Sequence, residues 1–127
     1  MGTNYYLHKE KCPCCGLKSE PLHIGKSSAG WVFMLHVTEA IKGLRDWMVL
    51  FESPGYTIVD EYGQDISMTE MVSTIVCRSW PDKIVLRESE KEKIEIGPSN
   101  LLRNRVDADF CIGHGEGTWD LIPREFS

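Results

Sequence analysis

Leu22-His23-Ile24-Gly25-Lys26-Ser27-Ser28-Ala29-Gly30-Trp31-Val32-Phe33-Met34-Leu35-His36-Val37 is the stretch whose reading decides the fold. Two runs of strand-forming residues flank a polar segment bounded by glycines, the pattern of a β-hairpin. In the second run Trp31, Phe33, Leu35 and Val37 point one way and Val32, Met34 and His36 the other, because side chains alternate along a strand. A turn at Ala29-Gly30 places His23 directly across from His36, where two imidazoles can share one metal ion.

Upstream, Cys12-Pro13-Cys14-Cys15-Gly16 is a tight turn that offers two thiolates at Cys-x2-Cys spacing, the geometry of a zinc knuckle. Cys12, Cys15, His23 and His36 then complete a tetrahedral Cys2His2 zinc site with no open position for a substrate. The residues from about 8 to 36 are expected to form a small β-rich module around this structural Zn2+. His8 is an alternative to His36, Cys14 to either thiolate, and Cys111-x2-His114 is a further pair able to complete the site from the far end of the chain. The five cysteines, three of them within four positions, suit metal ligation in a reducing compartment better than a disulfide framework.

Working outward, residues 4–8 have strand composition. A helix is expected from Thr38 to about Phe51, with Ile41, Leu44, Trp47, Met48 and Phe51 at helical spacing and Ser53-Pro54-Gly55 as its stop. Residues 56–60 read as a strand and 62–65 as a turn. Ser67-Met68-Thr69-Glu70 is a capping box that opens a second helix, carrying Met71, Val72, Ile75 and Val76 and ending near Trp80-Pro81. Between Pro81 and Pro98 the pattern suggests a strand, a charged solvated turn and a second strand. Trp31, Trp47, Trp80 and Trp119 are assigned to the core. The expected fold class is α+β: one domain over residues 1–127, in which a zinc-bearing β-hairpin module at about 4–37 is integrated with two helices and short antiparallel strands.

The 127 residues suffice for a real core, and 42% hydrophobic with 26% charged residues is ordinary for a globular protein. A net charge of -5 argues against nonspecific binding to a phosphate backbone. No apolar run is long enough to span a bilayer, the start lacks the pattern of a signal peptide, and Gly2 is followed by Tyr6 where myristoylation needs Ser or Thr. These features point to the cytoplasm and to no membrane partner. Gly25-Lys26-Ser27 lacks the upstream glycine of a phosphate loop, since Glu20 stands there, so no nucleotide is expected; Lys26, Ser27 and Ser28 are instead a candidate contact loop at the hairpin tip. Asp107, Asp109, His114, Glu116 and Asp120 crowd a glycine-rich C-terminal segment, which suggests either turn chemistry or a metal-dependent hydrolase site.

Taken together, Thr3-Asn4-Tyr5-Tyr6, Cys12-x2-Cys15-Gly16, the 23–31 segment with Leu35-His36-Val37, and the closing Gly-x-Gly-Thr-Trp-Asp-Leu with Glu125-Phe126-Ser127 resemble a group of small uncharacterised zinc-binding proteins encoded by tailed bacteriophages. The resemblance covers the two ends of the chain, implies a phage product acting in the host bacterial cytoplasm, and favours the Cys12, Cys15, His23, His36 ligand set. It carries no known activity to transfer to this chain. The leading expectation is therefore a non-catalytic accessory protein that binds and modulates a host macromolecule, with a host protein such as an antiviral defence component as target and inhibition as the mode of action. The alternative is a nucleic-acid-binding zinc protein with Lys18, Lys26, Arg103 and Arg105 as contacts, and the third a metal-dependent hydrolase using Asp107, Asp109, His114 and Glu116. No oligomeric state follows from these residues.

Overall fold

Residues 2–9, 20–105 and 111–126 are described by the computed structural model; Cys12, Cys14, Cys15, Lys18, Asp107 and Asp109 lie outside them. The elements are β1 (Gly2–Lys9), β2 (Leu22–Ser28), β3 (Phe33–His36), α1 (Leu44–Glu52), β4 (Tyr56–Asp60), β5 (Asp65–Ile66), α2 (Met68–Val76), β6 (Ile94–Ile96), β7 (Leu102–Asn104), β8 (Gly113–His114) and β9 (Trp119–Ile122). Seven strands form one sheet in the order β5-β4-β1-β2-β3-β9-β8, and β6 and β7 form a separate two-stranded sheet. Neighbours run antiparallel except β3 and β9, which are parallel, with Phe33 beside Trp119 and His36 beside Ile122. The fold is thus the expected small α+β domain with two helices. No helix among the described residues is long and apolar enough to cross a membrane.

One face of the large sheet carries the core. Leu7, Ile24, Phe33, Leu35, Ile58 and Trp119 from the strands meet Trp47 and Phe51 of α1 and Met71 and Ile75 of α2. Burying these large side chains is the main stabilising term, at about 1.5–3 kcal/mol each. Trp47 also donates its indole N–H to the His36 carbonyl at 2.8 Å, fixing α1 against β3. Trp47 and Trp119 are buried as expected, whereas Trp31 and Trp80 are only partly covered.

Both helices sit near their expected places, and their ends show why. Ser67 Oγ accepts from the Glu70 amide at 3.1 Å, so Ser67 caps α2 at the expected position. The first helix starts later than Thr38: the Thr38 hydroxyl accepts from the Ile41 amide and Thr38 N–H donates to the Ile41 carbonyl, which closes a turn instead. Helical residues begin only at Leu44, beyond Gly43.

Two strand readings are corrected. Residues 83–87 form no strand; β6 at 94–96 pairs instead with β7, across a turn in which Ser99 and Asn100 adopt φ of 59° and 63°. The hairpin register also differs. Gly25 faces Leu35 and Lys26 faces Met34, one residue away from the alignment that would oppose His23 and His36. A β-bulge in β2 follows on the far side of these pairs: Tyr5 of β1 faces Gly25, but Tyr6 faces His23, so Ile24 is the extra residue. Gly25 makes the close approach feasible, because a Cβ there would lie 2.1 Å from the Met34 carbonyl oxygen and 2.4 Å from the Phe33 ring. With the bulge absorbing one residue, Ile24 joins the core beside Leu35, and His23 emerges on the opposite face with His36.

Candidate metal centres

On the face away from the helices, alternation along β1 brings Asn4, Tyr6 and His8 to one side. His23 and His36 stand against them. Their ring centroids are 5.8 Å apart, Tyr6 lies 5.3 Å from His23, and Phe126 closes the group at 4.6 Å from His23 and 5.8 Å from His36. His23 Nε2 is 2.9 Å from Asn4 Oδ1. His36 Nδ1 donates to the His23 carbonyl at 3.1 Å, which leaves its Nε2 with the free lone pair a metal requires. Burial first, and the neighbouring His36 second, push the pKa of His23 below its ordinary value. A neutral imidazole is the ligating form. A hollow of about 390 Å³ opens beside this group, lined by Tyr6, His23, Glu125 and Phe126. The structure therefore brings together the two predicted histidines, while Cys12 and Cys15 belong to the residues not described.

A second group forms at the other end of the sheet. Cys111, His114 of β8 and Asp120 of β9 place one ligand atom each within 4.8 Å of one another, an arrangement that could hold a metal ion. Asp120 is fully buried and its carboxylate is heavily engaged: Oδ1 lies 2.6 Å from His114 Nδ1 and 4.0 Å from Arg103 Nε, and Oδ2 accepts the Asn104 amide at 3.0 Å. Burial raises its pKa, and the Asn104 amide, His114 and Arg103 pull against that rise. Burial, then the Asp120 charge, push the Cys111 thiol up, and the thiol donates to the Gly113 carbonyl at 3.3 Å. A buried thiol held in its protonated form is a poor nucleophile. His114 Nε2 faces Glu95 Oε1 of β6 at 3.0 Å but off the N–H axis, so this buried atom has no hydrogen-bond partner among the described residues.

The two groups are distinct. His23 is on β2 and His114 on β8, with β3 and β9 between them; three strand spacings amount to about 14 Å. Cys111 and His114 therefore do not complete the His23–His36 site, contrary to one sequence alternative. Glu95 is the member that the sequence did not announce. It reaches the group only because β6 pairs with β7, opposite Arg103, and no spacing in the chain signals that.

The remaining candidates are placed as follows. Lys26, Ser27 and Ser28 are not a loop: β2 continues through them, paired with Asn4, Thr3 and Gly2, and only Ala29-Gly30 turn. Arg103 is buried and donates to the Gly117 carbonyl at 2.6 Å, which removes it from any phosphate-facing surface, whereas Arg105 is exposed. Glu116 is exposed and, with His114, Trp119, Leu44, Met48 and Val49, lines a groove of about 780 Å³ between α1 and the β8–β9 hairpin. No protein family, curated protein or solved structure matches the chain.

Proposed function

We propose that this protein is a non-catalytic accessory protein whose zinc, held by Cys12, Cys15, His23 and His36, stiffens a β-sheet scaffold that binds and modulates a host macromolecule in the cytoplasm of a phage-infected bacterium. The observation that carries this reading is the pairing of His23 and His36 on the sheet face away from the helices, with the His36 Nδ1–H donated to a carbonyl and Nε2 left for ligation. Cys12 follows Lys9, the last residue of β1, by three positions, a tether of about 10 Å at full extension. β1 is the direct neighbour of β2 and Tyr6 faces His23, so the cysteines follow a strand that already runs beside the histidines.

The commitment of Cys111 and Asp120 to internal partners supports a binding role over hydrolysis, because neither group faces a substrate. The groove along α1, where Val49 is 60% exposed, supplies a surface of mixed apolar and charged character of the kind that interfaces use. Tagged protein incubated with nuclease-treated bacterial lysate is expected to retain a protein at stoichiometric yield. Retention of nucleic acid from untreated lysate, with nothing held after nuclease, would overturn this reading in favour of a nucleic-acid-binding zinc protein.

A further inference from the structure

We infer that Cys111, His114 and Asp120 form a second metal site, independent of the cysteine knuckle, that clamps the β6–β7 hairpin to the β8–β9 edge of the main sheet. This inference does not rest on the proposed function and stands or falls separately.

The first argument is the hydrogen-bond accounting at His114. A neutral imidazole offers one N–H and one lone pair. Here both ring nitrogens face carboxylates, Asp120 at 2.6 Å and Glu95 at 3.0 Å, and Nε2 is buried without a hydrogen bond among the described residues. A neutral ring must set its lone pair against one of two acceptors. A cation between Nδ1 and Asp120 resolves the conflict. The lone pair of Nδ1 then binds the metal, Asp120 and the Cys111 thiolate complete three ligands, and Nε2–H turns to Glu95 as the orienting carboxylate of a carboxylate–histidine–metal triad.

The second argument is size and charge. Donors 2.0–2.3 Å from a tetrahedral zinc lie about 3.3–3.8 Å apart. The three ligand atoms here are all within 4.8 Å, and the His114 Nδ1–Asp120 Oδ1 pair, 2.6 Å apart, has to open by about 1 Å to take up the ion, a change within reach of small side-chain rotations. On binding, Cys111 gives up its proton to solvent, and the local charges become three negative (Cys111, Asp120, Glu95) against Arg103 and a divalent ion, which cancel. Mixed thiolate, imidazole and carboxylate ligands suit Zn2+ rather than Mg2+ or Ca2+. The third argument is position. The three ligands belong to the β8–β9 edge, and Glu95 of β6 and Arg103 of β7 reach across to His114 and Asp120, so an ion held there is joined to the second sheet through these two side chains, beside the Asn104 N–H to Asp120, Arg103 to Gly117 carbonyl and Val32 N–H to Leu102 carbonyl bonds.

The test is long-range 1H–15N spectroscopy of histidine-labelled protein, stripped with EDTA and titrated with Zn2+, on the wild type and on the Cys12→Ser/Cys15→Ser variant. The expected result is a shift of the His114 ring nitrogens from their metal-free positions in both proteins, whereas His23 and His36 respond only in the wild type. A His114 ring that remains doubly protonated, or unmoved, while zinc shifts His23 and His36 overturns the second site alone; no response from His23 and His36 in the wild type counts against the first site alone. Co2+ provides a second readout. The double variant is expected to show a thiolate-to-cobalt charge-transfer band that disappears with Cys111→Ser, and a band that survives Cys111→Ser overturns the assignment.

Discussion

His23 and His36 show how a correct residue pairing can be reached by an unexpected route. Their juxtaposition is legible from two imidazoles in facing strands, but the observed hairpin register alone sets them one residue out of step, and the Ile24 bulge restores them to one face. Because burial and His36 lower the His23 pKa, the folded protein binds fewer protons than the unfolded chain once pH falls below the ordinary value near 6.5. In EDTA-stripped protein, stability should therefore hold above that pH and decline as pH falls from about 6.5 toward the lowered pKa. His23→Gln should flatten that decline in Tm between pH 7 and pH 5; an unaltered slope would show that His23 is not its source. At the other group, Asp120→Asn keeps the shape but leaves Arg103 buried without its counter-charge. The expected loss is about 3 kcal/mol, read by urea unfolding, and a loss below about 1 kcal/mol would mean the pair contributes little.

At the scale of elements, local chemistry was the better guide where it was self-contained. Ser67 with Glu70 announces α2, and the apolar spacing through Trp47 and Phe51 announces α1, because both signals act within a few residues. The expected strand at 83–87 does not form because strand composition says nothing about a partner: Val85 is 85% exposed, and β6 pairs with β7 instead. The turn that makes this possible uses Ser99 at positive φ, a conformation its side chain does not advertise. The bulge was equally hidden, although Gly25 is its trace in the sequence. Gly25→Ala should drive a methyl into the Met34 carbonyl and the Phe33 ring, costing about 1–3 kcal/mol, and should also weaken metal binding by displacing His23. A variant with wild-type Tm and zinc affinity would show that the bulge tolerates a side chain.

For the whole molecule, the α+β class and the count of two helices followed from patterning, whereas the sheet order did not. The parallel pairing of β3 with β9 brings the C-terminal segment against the outer side of β3, a contact between distant stretches that no local period encodes. That pairing also shapes the chemistry: it carries Asp120, already opposite His114 in the β8–β9 hairpin, toward Arg103, and the tail through Phe126 onto His23 and His36. The zinc scaffold remains the central claim, and zinc content measured beside thermal stability tests it most directly. Wild-type protein and the Cys12→Ser/Cys15→Ser variant, purified under reducing conditions without chelators, should differ by one zinc per chain, with a clearly lower Tm for the variant. Equal zinc content and equal Tm would contradict it.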